Sequence, residues 1–197
     1  MNTERMTALL YEALETEKGG MKIYKTAIQC AVNKDLKEEW QEYLEQTENH
    51  YRVMTELCEK LGLDPNLETP GRRIVRHIGD SLVKAMKLAL AAGDPEAAEL
   101  VAAECVTHAE TKDHMNWELI GRVAEKSKGP QRKALKAAHD EVEDEEDEHY
   151  YHTKGWTREL WIKSLGMRAV LPPPEEEKEV KTAIGAARAE KARSRML

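Results

Sequence analysis

The sequence predicts an all-α chain, an up-down four-helix bundle with a crossover helix between two hairpins. Three observations support this. The 197 residues are 41% hydrophobic, only 5% aromatic and biased toward Ala, Glu, Lys, Leu and Met, which is helix-forming material long enough for one domain with a substantial core. Apolar residues recur at steps of three and four along four long stretches, the period of a helix that buries one face. Asn, Asp, Gly and Pro gather in the short segments between those stretches, where helices stop.

The first helix is expected over about 3–32, with Thr3 as candidate N-cap and Met6, Leu10, Ala13, Glu17, Met21, Tyr24 and Ile28 along its stripe. Asn33, Lys34 and Asp35 make a short polar turn into an antiparallel partner. That second helix carries a seam of Leu36, Trp40, Tyr43, Thr47, His50, Met54, Leu57 and Leu61, and Gly62 with Pro65 ends it. Residues 62–70 read as a loop. A crossover helix follows over 72–92, with stripe residues Ile74, Ile78, Leu82, Met86 and Leu90. Asp94 and Pro95 open the third bundle helix, which runs to about Lys126 with Leu100, Ala103, Thr107, Glu110, His114, Trp117 and Ile120 on one face. After a turn at 127–130, the fourth helix spans about 131–165 and presents Leu135, Val142, Glu146, His149, Trp156 and Leu160. The bundle is thus assigned to residues 1–168 and a polar, solvated, partly helical tail to 169–197. Gly19 and Gly20 each cost about 1 kcal/mol relative to Ala inside a helix, so they mark a close helix approach or a bend beside Glu17.

Charge and cysteine usage limit the function. A net charge of −7, with Lys and Arg interspersed among acids, argues against a nucleic-acid groove. Cys30, Cys58 and Cys105 lack CxxC spacing and read as reduced, packed thiols of a cytoplasmic protein. The first ten residues hold no apolar signal core, and the longest candidate span, around 82–92, is short and contains Lys84 and Lys87, so no membrane association is expected. Exposed helix faces suggest a homodimer.

Charge also stands where the core should be. Glu17, His50, Glu110, Glu146 and His149 lie on the apolar stripes, near the middle of their helices, so an antiparallel bundle brings them to one level. A buried carboxylate is disfavoured unless paired, hydrogen-bonded or metal-bound, and three carboxylates with two imidazoles at one level point to a metal site. Carboxylate oxygen with imidazole nitrogen suits iron, manganese or zinc, and spacing of three lets Glu146 and His149 face the same ion. A weak internal repeat supports the convergence. Tyr24 follows Glu17 by seven residues as Trp117 follows Glu110, and His50-Tyr51 matches His149-Tyr150. Taken singly, each residue also has a plain structural explanation: a bundle-edge glutamate, a packed histidine, a solvated acidic run over 140–148. His114 reads as co-ligand or hydrogen-bond partner, His108, His139 and His152 as outer or surface groups, and Tyr24, Trp40, Trp117 and Trp156 as core.

Over residues 3–165 this pattern resembles the ferritin-like superfamily, especially rubrerythrin-like proteins, whose bundle carries a Glu on two helices and Glu-x-x-His on the other two. The second half matches through Glu110 and Glu146-Asp147-Glu148-His149, and the first offers Glu17 and Thr47-Glu48-Asn49-His50. Thr47 departs from the pattern where a carboxylate belongs, with Gln46 and Glu48 as neighbours. The resemblance implies a di-iron carboxylate centre ligated by Glu17, His50, Glu110, Glu146 and His149 that reacts with dioxygen or hydrogen peroxide. With no CxxC pair for a rubredoxin-type iron, turnover as an oxidoreductase would need an external electron donor. The competing expectation is a non-catalytic bundle that acts as a stress-associated interaction protein or an iron buffer.

Overall fold

Four of the five long helices begin where a polar side chain meets their free N–H groups. The computed structural model describes residues 2–197, in which α1 (Thr3–Cys30), α2 (Lys34–Lys60), α3 (Pro70–Ala91), α4 (Pro95–Lys126) and α5 (Gly129–Ser164) are long, α6 (Pro174–Glu177) and α7 (Ala183–Ala192) short, and no strand is present among the described residues. Asn2, not the expected Thr3, caps α1 by accepting from Arg5 N–H. Asn33 caps α2, Thr69 α3 and Asp94 α4, the last two with Pro in the first turn, where its missing N–H costs nothing. The α5 start lacks a side-chain cap and relies on Pro130.

Side-chain pairs fix the helix directions. Tyr24 with Glu110 and Glu17 with Trp117 run α1 against α4, while Tyr43 with His152 and Arg52 with Glu141 run α2 against α5. The turns after α1 and α4 each make a hairpin, so α2 and α4 point the same way and α3 returns the chain along the bundle. It lies against α1 in parallel, through Arg72 and Arg76 on Glu15 and Asp80 on Lys22. Its expected stripe holds in the second half, where Met86 is buried and Leu82 and Leu90 pack against the core, and is corrected in the first, where Ile74 and Ile78 are exposed and Arg72 is buried. The buried Glu15 carboxylate draws two arginines inward, which rotates the N-terminal isoleucines outward.

Two apolar clusters flank a polar middle layer. One gathers Ile23, Leu36, Trp40, Met86, Val106 and Trp156; the other Leu10, Leu14, Met54, Leu57, Ile120 and Leu135. All three cysteines are buried and unpaired, and burial pushes each thiol up to about 11. No helix among the described residues is long and apolar enough to cross a membrane.

The segment after residue 168 is not the solvated appendage expected. Arg158 grips Glu175 with two N–H groups at 2.7 and 2.9 Å, and fully buried Glu159 accepts from Val170 N–H and Arg193. Gly155 opens the surface of α5 where Glu175 sits, since a Cβ there would stand 2.7 Å from its Oε2. A run that reads as polar in sequence is therefore held by ion pairs at the end of α5.

Candidate metal centre

Glu17, His50, Glu110, Glu146 and His149 do converge in the polar layer between the apolar clusters, each at most 3% exposed. Two aromatic side chains hold two of the carboxylates. Tyr24 O–H donates to Glu110 Oε1 at 2.8 Å, and Trp117 Nε1–H donates to Glu17 Oε1 at 2.7 Å. These pairings are reciprocal: the aromatic residue of each helix, seven positions beyond its own glutamate, bonds the glutamate of the other. In both cases the second carboxylate oxygen, Oε2, has no partner.

The two histidines are held in matching ways. His50 Nε2–H donates to Glu145 Oε2 at 2.7 Å, and His149 Nε2–H donates to Gln46 Oε1 at 2.6 Å. Each acceptor precedes by one residue the position that Glu146 or Thr47 occupies. A proton held on Nε2 leaves Nδ1 to face the layer, the arrangement that turns an imidazole into an ion ligand. His50 Nδ1 lies 2.7 Å from Glu146 Oε1. His149 Nδ1 has no hydrogen-bond partner, with Glu110 Oε2 at 3.7 Å and Glu146 Oε1 at 4.0 Å.

Asp113 is the residue that the sequence reading missed. It is 4% exposed, its Oδ1 is unpartnered, and it groups with Glu17 and Glu146 so that one ligand atom of each lies within 4.8 Å of the others. His50, Glu146 and His149 form a second such group, with Glu146 common to both. Spacing of three from Glu110 was a usable signal, but the neighbouring His114 drew attention instead. His114 is partly exposed, donates to Asp147 at 2.8 Å and stacks on Tyr150, so it is a hydrogen-bond partner outside the layer.

Neither neighbour of Thr47 supplies the missing carboxylate. Glu48 is exposed and pairs with Lys25, and Gln46 is engaged with His149. Thr47 itself packs its methyl into the space above Gly20, where an added Cβ would lie 3.1 Å away. Gly19 is different: a Cβ added there would meet nothing within 4 Å. Of the glycine pair, Gly20 alone marks a close approach, to α2.

The charges in this layer oppose one another. Burial, then the charge of Glu146, pushes the Glu17 carboxyl well above the usual carboxylate range, and burial with the charges of Glu17 and Glu146 does the same to Asp113. Burial also opposes ionisation of Glu146, but the His50 hydrogen bond and the nearby imidazoles outweigh it and hold that carboxyl low. For His50, burial is outweighed by Glu146, Glu17 and Glu145, which push it up to about 10.

Glu15, Glu159 and Glu99, buried elsewhere in the chain, show none of this frustration. Glu15 accepts from Arg72 and Arg76, Glu159 from Arg158, Arg193 and Val170 N–H, and both carboxyls are held low despite burial. Glu99 accepts the N–H groups of Val32 and Asn33. The central layer instead leaves Glu17 Oε2, Glu110 Oε2, Asp113 Oδ1, Glu146 Oε2 and His149 Nδ1 without partners. Each such atom costs about 1–3 kcal/mol, and five together form an oxygen-rich, one-nitrogen donor set that fits a divalent transition ion.

A second buried polar cluster sits toward the α6 end. Tyr43 packs its ring 4.1 Å from that of His149 and donates its O–H to Glu39 at 2.5 Å. Trp156 Nε1–H bridges Glu39 and Glu176, and burial plus the Glu39 carboxyl push Glu176 up to about 8. The two carboxyls meet at one indole N–H, and their repulsion favours the protonated form of Glu176. His152, read from sequence as an outer or surface group, is buried here, with Nδ1 at 3.0 Å from Tyr43 O–H.

Comparison with protein-family models, curated proteins and solved structures gives no match, so the chemistry of this centre is read from its own residues.

Proposed function

We propose that the chain is a ferritin-like metal-binding bundle whose polar layer holds two divalent ions, iron first and manganese or zinc by the same donors, and reacts with dioxygen or hydrogen peroxide. The single observation that supports this most is the set of five unpartnered buried donor atoms drawn from α1, α4 and α5. Glu17, Asp113 and Glu146 would hold one ion, and His50, His149 and Glu146 the other, with Glu110 Oε2 beside His149. Bound iron would supply the capacity to pass electrons to the oxidant.

The protein's own groups prepare that chemistry. Tyr24 and Trp117 fix Glu110 and Glu17 through one oxygen each and so direct the other oxygen inward. Gln46 and Glu145 keep the imidazole protons on Nε2. Ion binding at His50 would displace the proton on Nδ1, so affinity should fall as pH falls. No CxxC pair is present to hold an electron-donating iron, so sustained turnover needs a separate donor.

A second reading, a non-catalytic bundle that buffers ions or binds a partner, draws on His50. Set between Glu145 and Glu146, a protonated His50 already serves as an internal cation. Elemental analysis after anaerobic ferrous loading separates the two, with a spectrum recorded on exposure to oxygen. About two irons per chain and an oxygen-dependent near-ultraviolet band, both lost in Glu110→Ala, are expected for the first. Near-zero metal with unchanged melting would overturn it.

A further inference from the structure

A cleft of about 480 Å³ opens between α4 and α5, and its wall reaches the polar layer at Glu146 and Trp117. Six carboxylates line it against three basic side chains, with His114 and His139 among them. Such a low-dielectric recess with excess negative charge concentrates cations. Within it, His139, Asp140 and Glu143 present one ligand atom each within 4.8 Å of the others. His139 Nδ1 lies 3.2 Å from Glu143 Oε2 and 3.7 Å from Asp140 Oδ1.

The placement of this group is built into both helices. His139 is only 14% exposed in its side chain because it lies flat on α4 at Gly121, where any Cβ would overlap its Nε2. His139, Glu143 and Glu146 follow at steps of four and three, so they share one face of α5. Glu143 is roughly 4.5 Å along the axis from Glu146, less than one turn. An independent observation makes the inner end a destination: Glu146 is 2% exposed, lines the cleft, and has an unpartnered Oε2.

We propose that this cleft is the route by which divalent cations reach the centre, and that His139, Asp140 and Glu143 capture an ion there and pass it to Glu146. The capture site rests on the metal-binding reading of the centre, but its own residues contribute nothing to the central layer. Lys136, bonded to Asp140 at 2.6 and 2.8 Å, competes for the same carboxylate and sets how readily an ion is taken up.

Anaerobic stopped-flow loading with Co²⁺, followed by its visible absorption, tests this on the full chain. The double variant His139→Ala/Glu143→Gln is expected to reach the wild-type cobalt content of the centre about ten-fold more slowly. Lys136→Gln, which frees Asp140, is expected to load faster than wild type and guards against a trivial folding defect. Unchanged loading rates in both variants would overturn the capture site and leave the central site intact. Cobalt binding that survives Glu110→Ala and Glu146→Ala but is lost in the double variant would overturn the central reading and, with it, the transfer. Absence of cobalt binding in wild type would overturn both.

Discussion

The two halves of the centre follow one plan and differ at two positions. In each half an aromatic N–H or O–H secures a glutamate of the opposite half, and a histidine donates its Nε2–H to the residue before Glu146 or Thr47. The halves diverge where Gly20 faces Thr47 on one side and Asp113 accompanies Glu146 on the other. His50 Nδ1 finds Glu146, but the matching partner of His149 Nδ1 would be residue 47, and Thr47 has no carboxylate to offer. That is why His149 Nδ1 is unpartnered. The layer nevertheless keeps four acids, Glu17, Glu110, Asp113 and Glu146, because Asp113 restores on the α4 side what Thr47 removes from the α2 side. A carboxylate absent from one helix can be matched by another across the bundle axis, so a motif read on one helix understates which acids the layer contains.

Substitutions on the two sides should separate sharply. Glu146→Ala removes the residue common to both donor groups and is expected to weaken ion binding by more than about 100-fold, while Thr47→Val leaves it unchanged. Calorimetric titration with Co²⁺ reads this directly, and equal losses would break the asymmetry. Forcing symmetry should fail next: Thr47→Glu places a longer, charged side chain against Gly20, at a cost of about 1–3 kcal/mol in urea unfolding of the metal-free chain. An unaffected midpoint would mean the α1–α2 contact can yield.

The aromatic holders sharpen the shared part of the plan. Tyr24→Phe and Trp117→Phe each remove one donor and are expected to lower ion affinity by similar factors, about ten-fold. A large effect from only one of them would show that the halves differ in more than Gly20, Thr47 and Asp113.

The smallest effect concerns a third way of accommodating buried acid. Glu39 and Glu176 crowd together at the Trp156 N–H, where Glu15 and Glu159 recruit guanidinium groups and the central layer leaves its donor atoms unpartnered. Because the folded-state pKa of Glu176 is raised from 4.5 to about 8, its stabilising protonation is complete below about pH 4.5 and is lost as pH rises through about 8. Glu176→Gln should therefore match wild-type melting at the acid end of that range and exceed it at the alkaline end. A melting difference independent of pH would show that Glu176 is not held protonated by its surroundings.

Much of the bundle could be read from period and punctuation, since Asp94-Pro95 and the Asn33 turn fix local backbone chemistry that packing does not override. The five stripe residues could be read because a charged side chain on a helix's apolar face has one destination. Asp113 could not be ranked above His114 from sequence, because adjacent residues differ by about 100° around the helix and only the α1 contact decides which faces in. Ile74 and Ile78 misled for a related reason: α3 meets the bundle through Glu15, and an ion pair between distant helices leaves no periodic trace. The docking of the last thirty or so residues depends likewise on Arg158 and Arg193, which read as ordinary surface charge.

The buried thiols have a bearing on how such a protein would age. At about 11, the thiols of Cys30, Cys58 and Cys105 hold almost no thiolate and are poor scavengers. Oxidisable Tyr24 and Trp117 are bonded directly to the carboxylates of the proposed oxidant-reacting centre and hold them in place. Oxidant that escapes productive use would strike its own mounting, and peptide mass spectrometry after repeated cycles should find oxidation there before it finds any at cysteine. The working life of the protein would then be counted in turnovers, not in hours.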